Sequence, residues 1–232
     1  GGSGGAWLDY DLDGRLDVFL VNGLPTWGDY SKGNGHTFMR SHGDRFSKAP
    51  ESAGLRDLVW GSGATVGDVD NDGFPDVFIT ALGSDHLYRN NGDGTFSAWS
   101  AGIEGSDWST SATFTDWDGD GFLDLYVAKY LEFDEDEIPV PGDGACFYGT
   151  VEVFCGPEGL VGTSDKFYRN NGDGTFLPWM ESEIDPDATY GFALIDMDCD
   201  GDVRPEIYVA NDSNINLLYR RTRNGGIEDW AL

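Results

Sequence analysis

DVDNDGFPDVFI, from Asp68 to Ile79, crowds four carboxylates (Asp68, Asp70, Asp72 and Asp76) into nine residues and then turns abruptly apolar. Gly73 stands among them. Two chemistries use such a cluster: a general acid–base pair, or a cage of oxygens for a metal ion. The phrase is written four times, and repetition is the first thing to test in a chain of this composition. Its other copies are DYDLDGRLDVFL from Asp9, DWDGDGFLDLYV from Asp116 and DMDCDGDVRPEIYV from Asp196. Small residues (Gly5, Ala64, Ala112, Ala193) precede each copy.

A second phrase recurs downstream. YRNNGDGTF is spelled identically at Tyr88–Phe96 and Tyr168–Phe176, with looser copies FMRSHGDRF from Phe38 and YRRTRNGGI from Tyr219. The distance from this phrase to the next acidic one is 30, 28 and 28 residues, whereas the distance from the acidic phrase to the second phrase is 29, 20, 52 and 23. The first connection is structural; the second tolerates insertions.

Each unit reads as four strands. An apolar stretch enters the acidic loop, and an alternating β-branched or aromatic stretch leaves it: Val18–Val21, Val77–Thr80, Leu125–Ala128 and Ile207–Ala210. A third strand carries Leu-Tyr-Arg, Asn-Gly-Asp-Gly supplies the positive φ angles of a tight hairpin, and Thr-Phe opens the fourth. Repeated four-stranded units predict an all-β fold, a β-propeller, with blades near 1–50, 59–100, 108–182 and 188–232. Four blades suggest part of a larger ring of six to eight, whose missing blades are expected to pair with the exposed blade ends; a closed four-bladed ring is the alternative. Trp99, Trp179 and Trp230 follow the hairpins and are expected to pack between blades.

The spacing favours the cage over the catalyst. Counting from the first carboxylate, positions 1, 3, 5 and 9 are acidic: Asp9, Asp11, Asp13 and Asp17; Asp68, Asp70, Asp72 and Asp76; Asp116, Asp118, Asp120 and Asp124. Position 6 is glycine (Gly14, Gly73, Gly121, Gly201), as a chain curling around an ion requires. Position 7 (Arg15, Phe74, Phe122) offers a backbone carbonyl. Such oxygens suit a hard cation, Ca²⁺ over Mg²⁺. Two carboxylates about 5 Å apart repel by roughly 3 kcal/mol at an effective dielectric near 20, so the cluster needs a cation. Catalysis needs one special copy with divergent pKa values, not four alike. Position 12 is apolar (Leu20, Ile79, Val127, Ile207), which separates these loops from the helical EF-hand.

Counted from Asp196, the fourth loop departs from the pattern. Asp198 and Asp200 fall at positions 3 and 5, Arg204 takes position 9, and Glu206 or Asp202 stands in for the missing acid. Altered geometry or weaker binding is expected there.

DxDxDGxxD after a small-residue pair, on repeating four-stranded units, resembles the FG-GAP or VCBS repeat propellers, such as the headpiece of integrin α chains. LYRNNGDGTF, CFYGTVEVFCGPEGL from Cys146 and YVANDSNINLLYR from Tyr208 are together similar to bacterial relatives of cartilage acidic protein, the ASPIC/UnbV group. The resemblance implies a secreted or surface-exposed, calcium-binding and mainly non-catalytic protein. The C-terminal extension that names the group is not among these residues.

Acidic residues outnumber basic ones 42 to 14, a formal charge of −28. That field repels nucleic acid and anionic membranes, and no apolar run has the length of a membrane span. Four Ca²⁺ ions would leave about −20, still strongly acidic. The sequence begins GGSGGAWLDYD, without a charged and apolar leader, so a signal segment would lie outside it. An extracellular, periplasmic or cell-surface setting is expected.

The long connection of the third unit, 129–165, holds an acidic run, Cys146 and Cys155. A disulfide closing that short loop would contribute about 2.5 kcal/mol; free thiols or a metal pair are the alternatives. Cys199, inside the fourth loop, reads as a half-buried unpaired thiol. On the rim opposite the acidic loops, Asn22, Lys129, Tyr130, Asn211 and Asp212 are candidate contacts for a protein or glycan partner, against a plain role in bonding the loops. No triad, nucleophile elbow or phosphate loop appears. A binding scaffold therefore ranks before a carbohydrate-binding propeller, and both before a polysaccharide lyase, which would want more basic residues.

Overall fold

The computed structural model describes residues 4–23, 35–55, 59–132, 146–152, 156–157, 160–179, 184–185 and 187–231. They form a β-propeller of four antiparallel four-stranded blades. The first blade is β1 (Gly5–Leu8), β2 (Asp17–Leu20), β3 (Thr37–Ser41) and β4 (Phe46–Lys48). The second is β5 (Trp60–Gly67), β6 (Asp76–Leu82), β7 (His86–Asn90) and β8 (Phe96–Trp99). The third is β9 (Ser109–Thr115), β10 (Asp124–Lys129), β13 (Lys166–Asn170) and β14 (Phe176–Pro178), interrupted by a small hairpin of β11 (Phe147–Tyr148) and β12 (Val151–Glu152). The fourth is β15 (Gly191–Met197), β16 (Glu206–Asn211), β17 (Leu217–Arg221) and β18 (Ile227–Asp229). The long connection after β10 thus adds a two-stranded element without breaking the blade.

First strands of successive blades face one another, β1 against β5, β5 against β9 and β9 against β15. Small residues permit that approach. A Cβ on Gly63 of β5 would lie 2.9 Å from the Thr110 carbonyl of β9 and from Thr80 Oγ1.

The core is three seams between blades. Phe19 and Val21 of the first blade meet Val77, Ile79 and Tyr88 of the second. Phe78 and Leu87 of the second meet Phe114, Leu125, Val127 and Phe176 of the third. Tyr126 and Phe167 of the third meet Ile207, Val209 and Tyr219 of the fourth. The alternation of the exit strand explains this. Positions 10 and 12 of the second and third loops point to the preceding blade and position 11 to the following one, so β6 and β10 are buried on both faces. Of the three tryptophans, Trp99 and Trp179 lie at these seams and Trp230 does not. Trp99 lies against Gly174 in the hairpin of the next blade, Trp179 stacks on Phe167 at 5.1 Å, and Trp230 is 42% exposed.

Candidate metal centres on the blade loops

The loop between first and second strands is built alike in every blade. The carboxylate at position 1 accepts two backbone N–H groups ahead of it: Asp9 from Asp13 and Gly14 at 3.0 and 2.8 Å, and Asp68 from Asp72 and Gly73 at 3.0 and 2.8 Å. Asp116 accepts from Asp120 and Gly121, both at 3.0 Å. Position 5 accepts from the N–H of position 7: Asp13 from Arg15, Asp72 from Phe74, and Asp120 from Phe122, each at 3.0 Å. Position 9 closes the loop by accepting from position 2: Asp17 from Tyr10, Asp76 from Val69, and Asp124 from Trp117. These bonds turn the acidic side chains inward and hold like charges together.

The same frame sets the fourth loop two residues later than counting from Asp196 implied. Asp198 accepts from Asp202 and Val203 at 3.1 and 3.0 Å, Asp202 accepts from Arg204, and Glu206 accepts from Cys199. Strand register agrees: Glu206 pairs with Met197, as Asp76 pairs with Gly67 and Asp124 with Thr115. Asp198, Asp200, Asp202 and Glu206 are therefore positions 1, 3, 5 and 9. Asp202 is thus the regular acid of position 5 and not position 7, which belongs to Arg204. Asp196 is outside the loop, at the end of β15, where it accepts from Thr113 Oγ1 of the third blade at 2.6 Å. Gly201 is position 4, and position 6 is Val203, a β-branched residue at φ 72°. Cys199 is exposed, not half-buried, and its Sγ donates to Glu206 Oε2 at 3.0 Å. That bond, with burial second, raises the thiol pKa to about 11.

Each loop gathers three acidic side chains whose oxygens lie within 4.8 Å of one another: Asp9, Asp11 and Asp13; Asp68, Asp70 and Asp76; Asp116, Asp118 and Asp120; Asp198, Asp200 and Glu206. The donor set is oxygen alone, and Asp11 Oδ1 is buried without a hydrogen-bond partner. Both features fit a hard divalent cation. The carbonyls of Arg15, Phe74, Phe122 and Arg204 stand at the position that would complete such a set.

Burial pushes the Asp76 carboxyl up to about 7, although it accepts from Asn90 N at 2.8 Å and from Val69. Asp124 is raised to about 7 chiefly by the same cause. Desolvation raises Asp17 too.

Two groups of residues that the acidic pattern alone did not mark complete the site. In three blades the arginine of the second phrase bridges positions 3 and 5. Arg40 reaches Asp11 and Asp13, Arg89 reaches Asp70 and Asp72, and Arg169 reaches Asp118 and Asp120; the shortest distance in each trio is 2.5 Å. In the fourth blade Arg220 turns to Glu228 instead. The next residue latches neighbouring loops together. Asn90 Nδ2 donates to the carbonyl of Tyr10 in the preceding loop, Asn170 Nδ2 to that of Val69, and Arg221 Nη1 to that of Trp117. The recurring Tyr-Arg-Asn was the available signal.

The rim candidates are placed differently. Lys129 is 1% exposed, its Nζ 3.3 Å from Asp85 Oδ2 and 2.7 Å from Ser109 Oγ, so it cannot meet a partner as it stands. Tyr130 donates to Asp212 Oδ2 at 2.7 Å, joining third and fourth blades. Asn22 donates to the Gly35 carbonyl and Thr37 Oγ1, and Asn211 to the Ile215 carbonyl. Cys146 is not a free thiol; Cys155, its expected partner, lies outside the described residues.

Fold and site together define a propeller whose blades each open on an acidic, inward-turned loop. The chain matches the FG-GAP-like repeat family over residues 9–79 and 68–127, just over half its length, and it belongs to that family. No curated protein matches it. Among solved structures it is similar to an Agrocybe aegerita lection described by its specific recognition of non-reducing terminal N-acetylglucosamine. That match has 17% identity and a TM-score of 0.56, covering 97% of this chain and 50% of that one. The V. cholerae biofilm matrix protein Bap1 matches at 14% identity and TM-score 0.41, covering 97% of this chain and 38% of that one. The Photorhabdus luminescens Tc holotoxin pore matches at 15% and 0.41, covering 97% and 9%. This chain thus spans half or less of each.

Proposed function

We propose that this propeller is a calcium-stabilised, non-catalytic scaffold acting outside the cytoplasm, which presents its rims to protein or cell-surface partners. One observation carries the reading: four loops, built on one hydrogen-bonded frame, each hold three carboxylates within 4.8 Å. Bound calcium would neutralise that charge and fix the loop to which the next blade is latched. Asp9, Asp11, Asp13 and Asp17 would hold it in the first blade, with Asp68, Asp70, Asp72 and Asp76, then Asp116, Asp118, Asp120 and Asp124, in the next two. Asp198, Asp200, Asp202 and Glu206 would hold it in the fourth. A loop disulfide between Cys146 and Cys155 accords with an oxidising setting.

Calorimetric titration with calcium, paired with thermal melts in calcium and in EDTA, tests this. Three to four sites and a marked fall in Tm on chelation are expected, since each site held at 100-fold over its Kd adds about 2.7 kcal/mol. No binding heat and an unchanged Tm would overturn the reading.

Glycan recognition is the second reading, favoured by the fold shared with the lection. Binding of terminal N-acetylglucosamine or another sugar on a glycan array, lost on substituting one exposed tryptophan, would support it over a purely protein-binding scaffold. A polysaccharide lyase ranks third, with few basic side chains to line a cleft.

A further inference from the structure

In the second and third loops the two oxygens of each acid at positions 3 and 5 serve different groups. One accepts from the loop's own backbone: Asp70 Oδ1 from Asp72 N at 3.3 Å, and Asp72 Oδ1 from Phe74 N at 3.0 Å. Asp118 Oδ1 and Asp120 Oδ1 accept likewise from Asp120 N at 3.1 Å and Phe122 N at 3.0 Å. The other oxygen of each acid, Oδ2, turns to a single guanidinium nitrogen. Arg89 Nη2 lies 2.5 Å from Asp70 Oδ2 and 3.1 Å from Asp72 Oδ2. Arg169 Nη2 lies 2.5 Å from Asp118 Oδ2 and 3.3 Å from Asp120 Oδ2. Each arginine also stands over the tryptophan of its own blade, 5.4 Å from the Trp99 ring centre and 5.6 Å from that of Trp179. In the fourth blade Asp200 and Asp202 give Oδ1 to loop amides in the same way. There, however, Arg220 Nε donates to Glu228 Oε1 at 2.5 Å, with its guanidinium 4.5 Å from the Trp230 ring centre.

We infer, resting on the calcium reading above, that Arg89 and Arg169 are tethered counter-ions that compete with the divalent cation for the same Oδ2 atoms. The arginine of each blade then sets how much calcium its loop needs. A guanidinium N–H and a hard metal ion are drawn by the same anionic oxygen. With Oδ1 given to the loop backbone, Oδ2 is the atom that each acid has left for either. Affinity in such cages follows their charge count, and one guanidinium among four carboxylates takes that count from −4 to −3. A displaced side chain still has the face of its tryptophan to lie on, which eases the exchange. The fourth loop has no such competitor, because Glu228 holds its arginine. An arginine that instead aimed the acids at the ion would act with the opposite sign, since its loss would weaken calcium binding.

Calcium calorimetry and thermal melts in EDTA read that sign on the wild type, on Arg89→Gln/Arg169→Gln and on Arg89→Lys/Arg169→Lys. The two arginine side chains are 45% and 50% exposed, so these substitutions leave the core untouched. The glutamine variant should bind calcium more tightly at two sites, by up to about fivefold, the scale of an exposed ion pair. In EDTA it should melt about 2–4 °C lower. The lysine variant keeps the charge and should bring both readings back toward wild type. Arg220→Gln should leave every calcium affinity unchanged. Glutamine variants that bind calcium equally or less tightly, or melt no lower in EDTA, overturn the inference and leave the calcium reading standing. So does an Arg220→Gln protein whose binding tightens as much. A wild type that gives no binding heat removes the calcium reading and the inference together.

Discussion

Asn170 donates its side-chain amide to the backbone carbonyl of Val69, 2.8 Å away across 101 residues of sequence. Val69 follows the first carboxylate of the second loop, and Asn170 stands in the third blade. The bond therefore ties one blade to the acidic loop of its predecessor, and Asn90 does the same for Tyr10 at 2.9 Å. Both asparagines are buried. Asn170→Ala leaves a buried carbonyl unpaired and removes a bond to Leu123 as well, a cost of about 1–3 kcal/mol. Urea unfolding in saturating calcium should show that loss. Asn170→Asp should be at least as damaging, since it sets an acceptor against an acceptor.

As Leu12 at φ 53° strains the first loop at position 4, Val203 strains the fourth at position 6. Its φ of 72° matches the 84°, 93° and 91° of Gly14, Gly73 and Gly121, but a β-branched side chain in that region costs about 1–2 kcal/mol. Val203→Gly relieves the strain, offset in part by about 0.5–1 kcal/mol of extra chain entropy in the unfolded state. The expected result is a small gain in stability and tighter calcium binding at this loop alone. Gly73→Val should do the opposite in the second loop. Calorimetry on single-loop variants separates the sites.

Blades, strands and the first three loops were legible because each is written in a local pattern: alternation, Asn-Gly-Asp-Gly, and carboxylates two apart. The start of the fourth loop is ambiguous in sequence because four aspartates, Asp196, Asp198, Asp200 and Asp202, run on at the same spacing, so counting forward from the first begins two residues early. Counting backward from the exit strand removes the ambiguity. Pro205-Glu206-Ile207-Tyr208 answers Pro75-Asp76-Val77-Phe78. The shifted start also makes the distance from Tyr168 to the fourth loop 30 residues, equal to that from Phe38 to the second. The fate of Lys129 had no such local signal. Its burial depends on Asp85 and Ser109, brought together from a turn and another strand.

Position 9 makes the metal-free protein sensitive to pH. Burial holds Asp76 and Asp124 up to about 7, against an ordinary carboxylate value near 3.9. A raised folded pKa means that the folded state keeps its proton where the unfolded chain has released it. That stabilisation is full below about pH 4 and is lost as pH rises through about 7. In EDTA, Tm should fall between pH 5 and pH 8 on account of these two groups. Calcium competes with the protons, so its affinity should rise over the same interval. Asp76→Asn and Asp124→Asn together should flatten the EDTA profile and weaken calcium binding.

Lys129 and Asp85 give the last expectation its sharpest form, because a partner-binding lysine and a structural one behave oppositely. Both side chains are buried, 1% and 4% exposed, with Nζ 3.3 Å from Oδ2. Asp85 also accepts from Ser109 Oγ at 2.7 Å and from the Ala81 N–H at 2.9 Å. Removing the cation by Lys129→Met strands a buried carboxylate, which costs about 3–5 kcal/mol. Desolvation already raises the Asp85 pKa even with Lys129 present, so the stranded group should take up a proton. The Lys129→Met variant should then regain stability as pH is lowered from 8 to 5. Adding Asp85→Asn removes the stranded charge, keeps an acceptor for the Ala81 N–H and turns its NH2 toward the Ser109 hydroxyl oxygen, which can accept, and should recover much of the loss at pH 8. A Lys129→Met protein that melts like wild type in both buffers would return this residue to the list of surface contacts.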